Sequence, residues 1–247
     1  MKKVYLILIV MLLFLGCKSE EKTTIKNEEN KEYSVAINFE YYPFSYKDES
    51  TEEPQGFIYE ISKEIERRAN FTVHLQEEPI SKIIDEITDG NYDVGIMAFA
   101  VTEERNKKID FSETLYNSEI VILGNRNIAY QKDVQIICGV QANSIFEKKF
   151  EEIDKDWIIV RDRDCRLVEA LVNKEIDYIV TYSETANNLI EKHPELFKKE
   201  TLGKMEIAFI MSKDLNKNDF KKVNSIISDM KLDGTIERLK KKYNLVV

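Results

Sequence analysis

Histidine is nearly missing from this chain of 247 residues: only His74 and His193 occur. His74 alternates with apolar residues in a strand-like stretch, and His193 sits beside Pro194 at a helix end. Both places suit structural or solvated side chains, so a Ser-His-Asp centre or a His-based metal site has little to work with. Glycine is sparse as well. Its eight copies are scattered, with neither GxxxxGKS/T nor GxGxxG among them. No phosphate-cradling loop, cofactor or metal is therefore expected. Basic residues are in deficit, 36 Lys and Arg against 45 Asp and Glu, for a net charge of −9. That balance argues against nucleic acid and against polybasic docking to membranes. Acidic runs such as Glu147–Glu152 read as solvated helix faces.

What is present starts at the N-terminus. Lys2 and Lys3 precede an unbroken apolar run, Val4 to Leu15. The run falls short of the about 20 residues a membrane-crossing helix needs and has the length of a signal-peptide core. It closes on Leu13-Phe14-Leu15-Gly16-Cys17, which resembles a lipobox, with Phe14 where Leu is usual. The expectation is a lipoprotein signal peptide over 1–16 and a lipidated Cys17 that anchors an exported protein on the periplasmic or cell-surface face. The alternative is an ordinary signal peptide with a coincidental cysteine. Loss of Lys2 and Lys3 leaves 34 basic residues against 45 acidic ones, a net of −11. Residues 18–32 are charged, with Ile25 as the one large apolar side chain, and cannot bury enough surface to offset their ordering entropy. Residues 17–32 are expected to be a flexible tether and 33–247 the folded part. Cys138 and Cys165 are either a disulfide formed outside the cytoplasm or two separate thiols.

Strand and helix patterns alternate through the body. Tyr33–Phe39 alternates as a strand. Phe57, Ile58, Ile61, Ile65 and Ala69 fall at helical spacing over 57–69. Phe71–Leu75 is rich in strand formers, and Ile80, Ile83, Ile84 and Ile87 line a helix stopped by Asp89-Gly90. Asp93–Val101 is apolar on both faces, as in a buried strand. A second series follows, with strands near 135–140, 157–160 and 178–181 and helices after Asn143 and from about Asp164. The passages 87–94 and 171–178 both end a helix and enter a strand, which suggests two α/β lobes of similar build. Ligands of such sheets sit beyond the C-terminal ends of their strands, and pockets favour domain interfaces.

Three segments, in order, carry a resemblance. Asn38-Phe39-Glu40-Tyr41-Tyr42-Pro43-Phe44 is followed by Gly56-Phe57-Ile58-Tyr59-Glu60. Thr102-Glu103-Glu104-Arg105 leads to Ile109-Asp110-Phe111-Ser112. Asp233-Gly234-Thr235 precedes Lys242-Tyr243. Over 33–247 this resembles the bacterial extracellular solute-binding proteins of family 3, the polar amino-acid receptors of ABC importers. The resemblance implies a two-lobed type II periplasmic-binding-protein fold of class α/β. Each lobe is then a mixed, mostly parallel sheet flanked by helices, and two crossover strands join the lobes. Lobe 1 would be 33–126 plus 205–247, and lobe 2 would be 127–204.

Arg105 can be argued from local chemistry as well. Thr102 is a good N-cap and Glu103 and Glu104 suit a first helical turn. Arg105 then stands beyond a strand's C-terminal end, where a guanidinium can hold a carboxylate through two parallel bonds. A surface Arg paired with Glu104 or Asp110 is the other reading, and the resemblance favours the ligand role. It also implies that Tyr41 stacks on the ligand, with Tyr42 and Phe44 as packing. Ala98 and Ala100 stand where the family often has Gly and Thr, and the backbone N–H of Ala100 remains available. Ile80 replaces a second aromatic. Gly139-Val140-Gln141-Ala142-Asn143-Ser144 resembles the family's Val-Gln-x-Gly-Thr-Thr, so Asn143 and Ser144 join the site and Ser144 caps a helix while donating to the ligand. Asn38 stands where some relatives carry an acid. Tyr182 falls where the family places the Asp that pairs with the ligand's ammonium, so standard L-α-amino acids are expected to bind weakly.

The expected function is capture of a small carboxylate-bearing ligand, an amino acid or a relative, by a monomer that delivers it to an ABC permease. It is expected not to be an enzyme. One competing class is a cyclohexadienyl-dehydratase-like enzyme, which would need Glu184 or Glu40 as general acid. The other is a receptor for a separate signalling chain, since no membrane helix or kinase segment follows Val247.

Overall fold

The computed structural model describes residues 31–128, 135–153 and 156–245. The signal peptide, Cys17 and all of the tether before Lys31 lie outside the described residues. The tether as read from the sequence loses its last two residues to a strand, because β1 spans Lys31–Ile37. Lys31 meets the Asp219 carboxylate at 2.6 Å, and the Tyr33 hydroxyl donates to the same carboxylate at 2.6 Å.

The first series runs β1, a small β2–β4 sheet (Glu40–Tyr41, Ser45–Lys47, Pro54–Gln55), α1 (Phe57–Ala69), β5 (Phe71–Glu77), α2 (Ile80–Thr88) and β6 (Val94–Ala100). Helix α1 forms where the spacing predicts it and buries all five expected side chains. At about 1.5–3 kcal/mol for each large apolar side chain buried, that stripe fixes the helix against the sheet. Asn70 ends it in a left-handed conformation. A short α3 (Glu103–Asn106) and β7 (Asp110–Phe111) lead to β8 (Tyr116–Asn125). The second series is β9 (Ile137–Gln141), α4 (Ile145–Glu151), β10 (Ile158–Asp162), α5 (Asp164–Val172), β11 (Tyr178–Tyr182) and α6 (Ser183–Lys192). The chain returns through β12 (Leu196–Met211) and ends in α7 (Lys217–Leu232) and α8 (Thr235–Lys242).

One mixed sheet runs in the order β10-β9-β11-β8-β12-β6-β1-β5, with β7 also on β12. Within each half the neighbours are parallel, β10 with β9 and β9 with β11 on one side, β1 with β5 and β6 on the other. The two long strands between them, β8 and β12, pair antiparallel along Tyr116–Asn125 and Leu196–Ile207. β12 then pairs with β6, while β8 pairs with β11. These are the two crossovers. One buried cluster runs from β1 and α1 through Tyr41 and Tyr182 to Val140 and Phe146, and a second lies under α5 and α6 around Leu123, Leu167 and Leu171.

Cys138 and Cys165 are not joined: Cys138 is buried on β9 and Cys165 is exposed at the start of α5. Among the described residues, no helix is long and apolar enough to cross a membrane.

Candidate functional site

The strand ends converge. β1 delivers Asn38, β6 delivers Ala98 and the turn to Arg105, β9 delivers Gln141 to Ser144, and β11 delivers Tyr182. Each lies at or just past a strand's C-terminal end, where parallel sheets leave an open crevice. Between the halves lie two spaces that share wall residues. The inner chamber, of about 50 Å³, is walled by residues that include Tyr41, Ile80, Ala98, Arg105, Ser144 and Tyr182. The outer chamber, of about 460 Å³, shares Tyr41, Ile80, Ser81, Gln141 and Ala142 with it and adds Asn38, Glu40, Glu78 and Arg163.

Arg105 is set as its sequence suggests. Thr102 caps α3, its hydroxyl accepting the Arg105 N–H at 3.2 Å. The guanidinium Nη1 donates to the Ala100 carbonyl at 3.0 Å. Both alternative partners are engaged elsewhere: Glu104 pairs with Lys148, and Asp110 with Lys213 at 3.2 Å. Among the described residues, no carboxylate lies within ion-pair distance of Arg105. Burial pulls its pKa below the ordinary guanidinium value, but it remains a cation at any ordinary pH. A half-buried, unneutralised guanidinium facing a chamber has the geometry to hold a carboxylate through two parallel bonds.

The other expected residues fall on the walls in different roles. Tyr41 is buried, stacks on Phe44 at 5.3 Å between ring centroids, and borders both chambers. Phe44 is core and Tyr42 lies outside, under the Lys192 ammonium. Ala100 does not line the inner chamber; its carbonyl holds Arg105. The Ala98 carbonyl accepts the Tyr182 hydroxyl at 3.2 Å. Asn38 borders only the outer chamber, bonding the Glu78 carbonyl and the Glu40 N–H. Ser144 caps α4 as expected, but its own proton goes to the Gln141 carbonyl at 2.6 Å, so the donor expected for a ligand is spent within the loop. Asn143 holds the left-handed φ of 57° that turns this loop into the chamber.

Tyr182 is 2 % exposed, meets Phe146 edge-on at 4.8 Å and lies 6.3 Å from Tyr41. Burial raises its phenol well above the ordinary value, so it is neutral. Contacts between the halves close the crevice around it. Glu104 of α3 pairs with Lys148 of α4, and Glu40 of β2 with Arg163 at 2.9 Å. Such exposed pairs contribute at most about 1 kcal/mol each.

Sequence reasoning missed Gln141, Met97, Phe99 and Phe146 as walls, although Gln141 stood in a quoted motif. It also missed the place of Glu184. That side chain is 3 % exposed, takes a hydrogen bond from the Ser118 hydroxyl, and does not line either chamber. Burial raises its carboxyl above the ordinary range, against the opposing pull of Ser118. A carboxyl whose folded pKa exceeds its unfolded value holds its proton more tightly when folded. The stability it contributes is full below the unfolded pKa and is lost as pH rises through the folded one. Glu184→Gln is therefore expected to raise the melting temperature at neutral pH, by about 2–4 °C for each kcal/mol relieved in a chain of this size. The gain should fade on acidification to about pH 4. A variant less stable at neutral pH would show that Ser118 and Lys198 outweigh the burial.

The profile of the family described as Bacterial extracellular solute-binding proteins, family 3, matches residues 33–246. The Probable histidine-binding protein of Campylobacter jejuni is 27 % identical over 98 % of this chain and 97 % of its own. The Arginine-binding extracellular protein ArtP of Bacillus subtilis is 24 % identical over 98 % of both. Among solved structures, a mutant of ArgBP from T. maritima superposes with a TM-score of 0.78 at 22 % identity, covering 87 % of this chain and 96 % of that one. The fold is the two-lobed type II periplasmic-binding-protein fold that the sequence resemblance implies.

Proposed function

Because this chain belongs to the bacterial extracellular solute-binding proteins of family 3, we propose that it is a lipid-anchored receptor that captures a small carboxylate-bearing ligand for an ABC importer. The ligand is an amino acid or a close relative, as the names of its histidine- and arginine-binding relatives suggest. The observation that carries the reading is Arg105, a cation with no counter-ion among the described residues, at the wall of a chamber between two halves. The lobes are taken as 33–126 plus 205–247 and 127–204, with the protein acting as a monomer. They close by hinge motion on β8 and β12, as periplasmic binding proteins do. The permease partner follows from the family.

Neither acid that an enzymatic role requires is free for it. Glu184 is turned into the protein onto Ser118, and Glu40 is paired with Arg163. The test of the binding role is a thermal-shift screen across amino acids, their deaminated analogues, small peptides, organic acids and polyamines. A ligand at 100 times its Kd stabilises by about 2.7 kcal/mol, or roughly 5–11 °C here. A panel in which only polyamines or peptides shift the protein would overturn the carboxylate reading.

The anchor has its own test. One acyl chain holds a protein only marginally to a bilayer, so stable attachment through Cys17 needs more than one. Cys17→Ser is expected to move the protein from the membrane fraction to the soluble one, or to block processing. Normally processed variant that stays in the membrane fraction would refute it.

A further inference from the structure

We propose that the ligand is a carboxylate without an ammonium on its α-carbon, a 2-hydroxy, 2-oxo or unsubstituted acid. This rests on the carboxylate-capturing role above and narrows it.

The charge of the inner chamber decides the class. Arg105 is the one charged side chain among the described residues that wall it. The rest are apolar, amide, hydroxyl or phenol. A monoanion seated on Arg105 brings the closed chamber to neutrality. A zwitterion leaves it at one positive charge and strips water from an ammonium that has no carboxylate to meet. An uncompensated buried charge costs far more than a neutral polar group.

No acid among the described residues walls the inner chamber. Glu104 is exposed and tied to Lys148, Glu40 to Arg163, and Glu77 to Lys47. Glu78 accepts the Tyr92 hydroxyl at 2.8 Å and borders only the outer chamber, as does Asp162. Glu184 would have to leave Ser118 and its buried place to reach the ligand.

Tyr182 completes the selection. It is wedged edge-on against Phe146, and its proton is committed to the Ala98 carbonyl. The phenol oxygen keeps a lone pair that can accept from a ligand hydroxyl. It offers no anion to an ammonium. Backbone carbonyls such as that of Ala98 can accept from an ammonium too, but they carry no net charge and the Ala98 oxygen already has a donor.

Calorimetric titration of three matched pairs tests this: arginine against 5-guanidinopentanoate, histidine against 3-(imidazol-4-yl)propanoate, and glutamine against 5-amino-5-oxopentanoate. Within each pair only the α-ammonium differs. In the wild-type protein the deaminated member of any pair that binds is expected to bind tighter by about tenfold or more. Tyr182→Asp, which supplies the missing anion, is expected to invert that ratio. A wild-type ratio below about tenfold, or one favouring the amino acid, overturns the proposal and leaves the carboxylate-binding role standing; it is read without the variant, which has to tolerate a buried acid. No binding by any of the six compounds overturns that role and this proposal together.

Discussion

Arg105→Ala is expected to abolish measurable capture of carboxylate ligands while leaving the ligand-free protein folded. The asymmetry comes from what the side chain touches. Its one hydrogen bond within the protein runs to the Ala100 carbonyl, and it has no ion pair among the described residues. Removing it therefore strands no buried partner charge in the empty state. With ligand bound, the same removal leaves a carboxylate inside a closed chamber without a cation. Truncating one member of a buried, hydrogen-bonded charge pair costs about 2–5 kcal/mol, a loss of roughly 30-fold to several-thousandfold in affinity. Arg105→Lys is expected to fall between, because a single ammonium cannot form the two parallel bonds of a guanidinium. Titration calorimetry reads both variants, with circular dichroism melting as the control. Unchanged affinity in the alanine variant would place the carboxylate elsewhere.

The second large effect lies away from any ligand. Gly56→Ala is expected to destabilise the protein by on the order of 3–5 kcal/mol and to weaken binding with it. Gly56 caps α1 with a φ of 123°, a conformation that side chains rarely accept. A Cβ there would stand 2.3 Å from the Phe44 carbonyl oxygen and 2.8 Å from the Ser45 Cα, both backbone atoms that cannot swing aside. The damage would spread toward the chamber. Phe44 stacks on Tyr41, and its carbonyl receives the Ile58 N–H at 2.9 Å, so relaxing the clash pulls on the turn that places Tyr41 on the chamber wall. The Gly56 N–H also donates to the Tyr243 hydroxyl at 3.2 Å, which ties α8 to the same point. A melting temperature within about 3 °C of wild type, where 3–5 kcal/mol calls for roughly 6–20 °C, would show that this corner yields more easily than its geometry suggests.

Local features were the legible ones. The five apolar positions of α1 gave its limits, and Thr102 before two glutamates gave the cap that sets Arg105. Both depend on residues within one or two helical turns. β12 escaped the residue pattern because its surroundings change along its length. Its first half is largely exposed and charged, its last five residues are buried between two strands, and three register shifts break the alternation. No single period describes such a strand, and only the family resemblance led to expect two crossovers. The contacts that define the chamber were illegible for another reason. Tyr182 meets a carbonyl 84 residues earlier in the chain, and Glu184 meets a hydroxyl 66 residues earlier. Side-chain identity offered no way to see that the Ser144 proton would turn back onto Gln141.

The long return strand also sets an order of events in the life of an exported chain. β6 and β8 each lack one of their two neighbours, and β7 lacks its pairing, until residues 196–211 exist and reach them. The pairings that join the two halves of the sheet thus link residues as far apart as Met211 and Val94, and pairings of that range form slowly because the intervening loop has to be closed first. A growing polypeptide carries one edge of β6 and one edge of β8 open until the return strand has been made. That delay makes the return strand, about four-fifths of the way along the chain, the segment that joins the two halves of the sheet.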